Sequence, residues 1–285
     1  MIKLSKRLSA LCDMVPEGST LCDVGCDHAH VEIRLLQENR VKSAIAMDVA
    51  DGPLQRAREN LELTGLSDKC EVRKSDGLSA YKKGEAQTLL IAGMGGILMR
   101  SILEEDPEKT EDFRYLILEP QSEQWLVREF IEDSACFAIR DEKLIVEDGK
   151  YYPVIFAEKR SEGENDAPLI RPQWESCRRQ LSEMDEETVR EARIDRETVL
   201  CLLEDPLFRR KAELTLGPVL IGRKDEALYE YVTFRLRTNL SICEKLAAGA
   251  GTAKEPPART QERLRELSGE IGLLQVILFI FTWCR

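Results

Sequence analysis

Short apolar runs alternate with segments of helical spacing between residues 19 and 132. Apolar runs of about four to eight residues predict strands, and apolar positions three or four residues apart predict helices. Strands are predicted over Ser19–Val24, Val41–Asp48, Cys70–Lys74, Thr88–Ala92 and Tyr115–Glu119. Helices are predicted over Lys3–Val15, Ala29–Glu38, Pro53–Thr64, Gly96–Glu104 and Glu123–Glu132. Strand–helix alternation is typical of a parallel sheet covered by helices on both faces.

The pattern changes after residue 132. Two further strand-like runs, Phe137–Val146 and Tyr151–Ala157, are joined through Asp148-Gly149, and Asp-Gly between strands is typical of a tight hairpin. The predicted fold class is therefore α/β, a doubly wound, Rossmann-like sheet that closes with an antiparallel hairpin. This is the layout of class I methyltransferases, whereas a plain dinucleotide-binding domain would more often continue with a parallel strand.

A polar, turn-rich segment, Ser161–Pro168, predicts a linker between two domains, residues 1–160 and residues 161–285. The second domain is predicted to be helical. It carries two stripes of heptad spacing, at Tyr229, Val232, Leu236, Asn239, Cys243 and Leu246, and at Leu264, Leu267, Ile271, Leu274, Leu278 and Phe281. The stripes flank a loop rich in Gly, Ala and Pro, Gly249–Pro257. They predict either a coiled-coil hairpin or an ordinary helical pair packed on the first domain.

The segment Gly272–Cys284 is uncharged and apolar on several faces. It is shorter than the roughly 20 residues that a membrane-spanning helix needs, so we expect no membrane anchor. A solvated two-helix arm cannot bury all of its apolar side chains. We therefore expect this apolar tail to pack against the first domain or another subunit, unless it is not the natural family ending.

Charge and cysteine content narrow the possible functions. The 285 residues include 41 Lys and Arg against 52 Asp and Glu, for a net charge of -11. This excludes the broad basic footprint of an architectural DNA-binding protein, and we expect no DNA partner, although a local basic stripe can still guide RNA. The nine cysteines are odd in number and irregularly spaced, which argues against a secreted disulfide scaffold and favours the cytoplasm.

The densest group of polar residues follows the first predicted strand, at Asp23, Gly25, Cys26, Asp27 and His28. Ligands of doubly wound sheets bind beyond the carboxyl ends of the strands, where this loop lies. A nicotinamide site would need a Gly-x-Gly-x-x-Gly loop for its pyrophosphate. This loop has one glycine and an added carboxylate, which suits a cationic ligand such as S-adenosylmethionine.

Two later strands end in acids. Asp48 is placed to bond a ribose diol, and Asp76, followed by Gly77, is placed to accept a hydrogen bond from an adenine amino group. Taken singly, each acid could equally be a helix cap. The fourth strand ends in Gly93-Met94-Gly95-Gly96, which exposes backbone groups and leaves space beside a cofactor. We assign Gly93 to cofactor binding.

Three segments in this order, Asp-Val-Gly-Cys-Asp-His-Ala, Ala-Gly-Met-Gly-Gly and Leu-Glu-Pro-Gln, resemble the TrmK-type bacterial tRNA (adenine-N1)-methyltransferases, which modify adenine 22. The resemblance covers residues 1–160 well and the helical domain loosely. It implies transfer of a methyl group from S-adenosylmethionine to N1 of a tRNA adenine. We expect Asp27 to lie near the adenine amino group, Met94 to shape the pocket floor, and His28 and Gly95 to contact the substrate.

The sequence departs from the family at Cys26, His30, Val31-Glu32 and Glu119, where the family usually has Ser, Tyr, Leu-Pro and Gln. The change at His30 alters the expected wall of the acceptor pocket. Glu119 replaces a neutral amide, which removes the basis for a base contact from that strand end.

Other interpretations remain open at this point. Cys22, Cys26, His28 and His30 could be read as a zinc site, but the C-x-x-C spacing of structural zinc is absent and we assign no metal. The chain could be a methyltransferase for a small molecule or a protein, or a binding module that keeps the sheet as a scaffold. Three basic residues of the first helix, Lys3, Lys6 and Arg7, are expected to contact tRNA phosphates in a monomer or weak dimer.

Overall fold

The computed structural model describes residues 2–161, 170–192, 194–249 and 258–284. The chain divides into two compact units, Met1–Ile170 and Arg171–Arg285. Apart from Ser161, the predicted linker lies outside the described residues, as does most of the predicted loop Gly249–Pro257. The division at residue 160 by function stays a prediction.

The first unit contains a seven-stranded mixed sheet of order β3-β2-β1-β4-β5-β7-β6. Its strands are β1 (Ser19–Val24), β2 (Val41–Asp48), β3 (Cys70–Lys74), β4 (Thr88–Gly95), β5 (Tyr115–Ser122), β6 (Phe137–Glu147) and β7 (Lys150–Lys159). Strands β1 to β5 are parallel, and β7 pairs antiparallel with both β5 and β6. The predicted Rossmann-like methyltransferase sheet with a closing hairpin is confirmed.

The hairpin turn follows from its two residues. Asp148 and Gly149 both have positive φ, at 50° and 72°. Two consecutive residues of positive φ are what a type I′ turn needs, and its twist matches that of the flanking strands. The hairpin therefore closes the sheet without a loop, and Glu147 stands at the same edge as the carboxyl ends of the parallel strands.

Helices of the first unit cover both faces of the sheet. They are α1 (Lys6–Met14), α2 (His30–Gln37), α3 (Asp51–Thr64), α4 (Gly96–Glu105), α5 (Pro107–Thr110) and α6 (Gln124–Asp133). Two apolar clusters fill the spaces between sheet and helices, one around Leu11, Leu35 and Leu90, the other around Leu89, Met99 and Phe113. Burial of these two layers is the main source of stability for such a unit.

The second unit is helical. Its helices are α7 (Trp174–Glu183), α8 (Glu186–Ala192), α9 (Arg196–Glu204), α10 (Pro206–Leu216), α11 (Pro218–Arg223), α12 (Glu226–Gly249) and α13 (Ala258–Trp283). Helices α12 and α13 pack antiparallel, because Tyr229 stacks on Phe281 while Asn239, ten residues later, bonds Glu270. The buried Asn239 amide donates to a Glu270 oxygen at 2.8 Å, which places a polar pair inside the heptad stripe.

The apolar tail is covered in part by its own unit. Leu273 and Leu274 line a cavity of about 340 Å³ with residues of α10 and α12, and the Lys224 ammonium donates to the Cys284 carbonyl. This arrangement was not among the sequence-based expectations, because helices α7 to α11 could not be assigned one by one. Among the described residues, no helix is long and apolar enough to cross a membrane.

Candidate functional site

Three strand ends are held in register at one edge of the sheet. Val24 of β1 pairs with Met47 of β2, and Asp48 pairs with Lys74 of β3. The N–H groups of Gly25 and Cys26 both donate to the Met47 carbonyl, at 2.8 and 3.1 Å. The loops after β1, β2 and β3 therefore begin side by side, as the sequence predicts for parallel strands.

The loop after β1 has an unusual backbone. Gly25, Asp27 and Ala29 all have positive φ, so the chain turns at every second residue before α2 begins. At Gly25 a side chain would be strained, because the φ of 85° favours glycine and a Cβ atom would lie 2.4 Å from the terminal methyl of Met94. The side-chain amide of Asn60 on α3 donates to the His28 carbonyl at 3.0 Å and holds the loop from outside.

A cavity of about 290 Å³ opens between this loop, helix α1 and the end of β4. It is lined by Arg7, Leu8, Leu11, Asp23, Gly25, Cys26, Asp27, His28, His30, Val31, Leu90, Ala92, Gly93 and Gln121. Six of these lining residues are ones that the sequence assigns to the site. Arg7 also lines the cavity, although the sequence predicts that it contacts tRNA phosphate. Asp48, Asp76, Gly77, Met94 and Gly95 are outside this lining.

Asp27 and the two histidines form the outer wall of the cavity. The Asp27 side chain is 73% exposed, and one of its oxygens lies 3.3 Å from Nε2 of His28. The rings of His28 and His30 are 5.4 Å apart. Burial, followed by the neighbouring His28, lowers the pKa of His30, although Asp27 raises it. From the sequence, His30 is considered as a departure from the family and in the alternative zinc site, but it is not assigned to the cavity.

Arg7 lies at the cavity and not on an open helix face. Its Nη1 is 2.6 Å from a carboxylate oxygen of Glu119, and its guanidinium carbon lies 5.5 Å from the centre of the Tyr152 ring. The same Glu119 oxygen accepts the Gly93 N–H at 3.1 Å. Burial raises the pKa of Glu119, although Arg7 and the Gly93 N–H lower it.

Arg7 is placed differently from the two lysines with which the sequence groups it, and its contact with tRNA phosphate stays a prediction. The sequence treats Lys3, Lys6 and Arg7 as one phosphate-binding group, whereas the structure separates Arg7 from the two lysines. Arg7 is directed inward because a buried carboxylate needs a cation, and Glu119 is 0% exposed. The Lys6 backbone N–H donates to Glu147 at 2.6 Å, which ties the start of α1 to the closing hairpin.

Beneath the loop lies a pair of buried acids, Asp23 and Glu32. Burial raises the pKa of Asp23 to about 7, and burial together with the Asp23 charge raises the pKa of Glu32. Two carboxylates in one dry space cannot both be charged at little cost, so the pair holds a proton at neutral pH. The described residues contain no group of three or more His, Cys, Asp or Glu side chains placed to hold a metal ion.

The acids after β2 and β3 are placed as the sequence predicts, at neighbouring strand ends. Asp48 is partly buried, and one of its oxygens accepts the Ala50 N–H at 2.9 Å. Asp76 is exposed, and Gly77 beside it has a φ of 49° and packs on Ile102.

Comparison with known proteins identifies the fold family. Residues 4–155, more than half of the chain, match the family model described as a methyltransferase domain. The chain belongs to this methyltransferase family. The matched residues 4–155 thus lie within the first compact unit, Met1–Ile170.

Relatives match over both units. The chain is 29% identical over 277 residues to the tRNA (adenine(22)-N(1))-methyltransferase of Bacillus subtilis, which covers 97% of this chain and 98% of that protein. The crystal structure of the B. subtilis M1A22 tRNA methyltransferase TrmK matches with a TM-score of 0.71 and 29% identity, over 98% of this chain and 100% of the other. A Streptococcus pneumoniae putative tRNA (m1A22) methyltransferase in complex with S-adenosyl-L-methionine matches with a TM-score of 0.67 and 26% identity, over 97% and 100%.

The charged side chains that line the cavity complement the charged groups of S-adenosylmethionine. The ligand carries a sulfonium, an ammonium and a carboxylate. The cavity offers carboxylates for the two cations and the Arg7 guanidinium for the anion. Gly25 lines the cavity and places no side chain between the loop backbone and a ligand there. A pyrophosphate, in contrast, would meet Asp27 where it needs N–H donors.

Proposed function

We propose that this protein transfers the methyl group of S-adenosylmethionine to N1 of adenine 22 in tRNA. The observation that carries the proposal is the cavity at the ends of β1 and β4, where acids and one arginine surround a glycine loop. Its support is the match of both units, over nearly the whole chain, to proteins named for that reaction.

The proposed cofactor contacts follow from the charged side chains at the strand ends. Arg7 would hold the carboxylate of the amino acid group, and Asp48 the ribose diol. Asp76 would accept a hydrogen bond from the amino group of the cofactor's adenine. The backbone would approach the cofactor closely at Gly25, Cys26, Gly77 and Gly93. Asp23 would lie beneath the loop. When bound, S-adenosylmethionine supplies an electrophilic methyl carbon on a positively charged sulfur.

The residues around the cavity need only orient the acceptor. The lone pair on adenine N1 is itself the nucleophile, so the reaction requires no covalent intermediate with the protein. The protein must align N1 with the methyl carbon and exclude water. Asp27, exposed at the cavity mouth and oriented by His28, is placed to accept from the adenine amino group and to stabilise the positive ring. Met94 and Gly95 would form the pocket floor.

Access to N1 requires that the adenine leave its stacked position. We infer that the exposed Lys3 and Lys6, at the edge next to the cavity, and the helical second unit hold the surrounding tRNA. Because tRNA is the proposed substrate, the cytoplasm is the proposed place of action. A monomeric or weakly dimeric state stays a prediction.

The test is transfer of labelled methyl groups to an unmodified bacterial tRNA, followed by nucleoside analysis. We expect 1-methyladenosine at position 22 and no incorporation into a matched tRNA with guanine at that position. Asp27→Asn should reduce kcat by more than tenfold with little change in cofactor affinity, because its charge acts on the acceptor. Label at another position, or on no tRNA at all, would contradict the proposal.

A further inference from the structure

An exposed apolar patch lies beside the candidate site. It consists of Ile97 and Leu98 in the first turn of α4 and Trp125 in the first turn of α6, which are 66%, 53% and 44% exposed. We call these three residues the apolar patch. Single exposed apolar residues are ordinary on protein surfaces, but three large ones at adjoining helix starts require an explanation.

The sheet brings the two helix starts together. Gly95 at the end of β4 pairs with Ser122 at the end of β5. The next residue, Gly96, packs so closely on the following backbone that a Cβ atom would lie 2.4 Å from the Glu123 carbonyl oxygen. One turn further on, Arg100 of α4 binds Glu129 of α6 at 2.7 Å. The patch is therefore a fixed surface, supported by rigid elements.

The patch also begins next to the cofactor loop. Met94, whose methyl group lies over Gly25, is only three residues before Ile97. Both helices start at the carboxyl ends of parallel strands, the edge at which an acceptor must approach the cavity. Leu63 is a useful contrast: it is 84% exposed but sits in the last turn of α3, at the opposite edge of the sheet.

The surroundings of the patch select a neutral, flat occupant. Arg100 is already paired with Glu104 and Glu129, so its guanidinium is not available to a phosphate at this surface. A protein partner needs about 20 residues on each side for a stable interface, far more than this patch offers. A nucleobase needs only an aromatic or aliphatic face on which to stack.

We propose that the apolar patch is a stacking platform, with Trp125 as its centre, for a tRNA base that loses its stacking partner when the target adenine is drawn into the cavity. The inference rests on the proposed function, because it takes tRNA as the substrate. It adds a base-binding residue on the β5 side of the site, where Glu119 itself is buried against Arg7 and cannot reach a base.

The experiment compares Trp125→Ala, Trp125→Phe and the control Leu63→Ala by steady-state methyl transfer. Loss of one base stack should raise KM for tRNA about tenfold in Trp125→Ala, with cofactor affinity unchanged. Trp125→Phe should keep most of the affinity, because it keeps an aromatic face, and Leu63→Ala should behave as wild type. An unchanged KM for tRNA in Trp125→Ala would overturn the proposal. If Trp125→Ala abolishes self-association of the protein and leaves KM unchanged, the patch is instead a contact between two copies of the chain.

A second measurement does not depend on turnover. Tryptophan fluorescence is titrated with oligoadenylate in the wild type and in Trp125→Phe, and the difference reports Trp125. We expect quenching that the Phe variant lacks; equal quenching in both proteins would refute the platform. If the wild type methylates no tRNA, the proposed function fails by itself, and this titration still decides whether Trp125 stacks on a base.

Discussion

Arg7 and Glu119 are 112 positions apart in the chain, and their side chains meet at 2.6 Å beside the candidate cofactor cavity. Glu119 is buried at the end of β5, and Arg7 approaches it from α1. The pair thus fastens the first helix to the centre of the sheet. It also fixes the direction of the guanidinium, which lies between Glu119 and the Tyr152 ring.

Removing the cation should leave a buried carboxylate without a partner. We expect Arg7→Ala to lower the free energy of unfolding by about 2 kcal/mol, less than for a fully buried pair because Arg7 is partly exposed. The double variant Arg7→Ala/Glu119→Gln should recover part of this loss, since a neutral amide needs no cation. Urea unfolding measures both; equal losses in the single and double variants would show that the ion pair is not the cause.

Asp48 should contribute to cofactor affinity. We expect Asp48→Ala to weaken S-adenosylmethionine binding by about 1.5–3 kcal/mol, the value of a hydrogen bond to a charged acceptor. The matched control is Asp51→Ala, because Asp51 is an exposed acid three residues further on that binds Lys74. Calorimetry on folded variants checks this, and equal affinities in the Asp48 and Asp51 variants would remove Asp48 from the cofactor site.

The buried acids Asp23 and Glu32 should make stability depend on pH. The folded-state pKa of Asp23 is about 7, against roughly 4 in an unfolded chain. Between these values the folded protein binds more protons than the unfolded chain, so the free energy of unfolding falls as pH rises. We expect Glu32→Gln to be more stable than wild type at pH 8, because a neutral amide can be buried beside Asp23 without taking up a proton on folding.

The gain from Glu32→Gln should shrink as pH falls towards 5, because protonation of Glu32 in the wild type costs less free energy at lower pH. Thermal unfolding across this range tests the sign. Glu62→Gln, a change at an exposed acid of α3, provides the control and should show no such trend. A Glu32 variant that is less stable than wild type at pH 8 would contradict the shared-proton interpretation.

The first compact unit should fold by itself. We expect a fragment of residues 1–170 to bind S-adenosylmethionine with the affinity of the full chain, because the cavity lining lies within this unit. It should methylate tRNA with a raised KM, since the helical unit is proposed to supply binding and not chemistry. An insoluble fragment, with a soluble full chain, would show that the helical unit belongs to the core.

The sequence predicts the sheet of this protein well because each buried strand is a short apolar run that can be recognised locally. The bounds of β1, β2 and β3 agree with the predictions, and the Asp148-Gly149 turn is visible in two letters. Strand β4 extends to Gly95, beyond the predicted Ala92, because pairing with β5 continues through an irregular register. The site is harder to predict. The partner of Arg7 is determined by tertiary packing, and the positive φ values in the loop after β1 depend on the contacts of that loop.

The attachment of α1 has a consequence for synthesis on the ribosome. Helix α1 leaves the exit tunnel before the rest of the first unit, yet two of its contacts are with Glu119 and Glu147, the latter 141 positions after Lys6. Contacts of such long sequence separation form late, because the intervening chain must be ordered first. A nascent chain that already contains the loop after β1 therefore has no closed cavity. The cavity lining extends to Gln121, so we expect the nascent chain to retain its cofactor only after β5 has emerged.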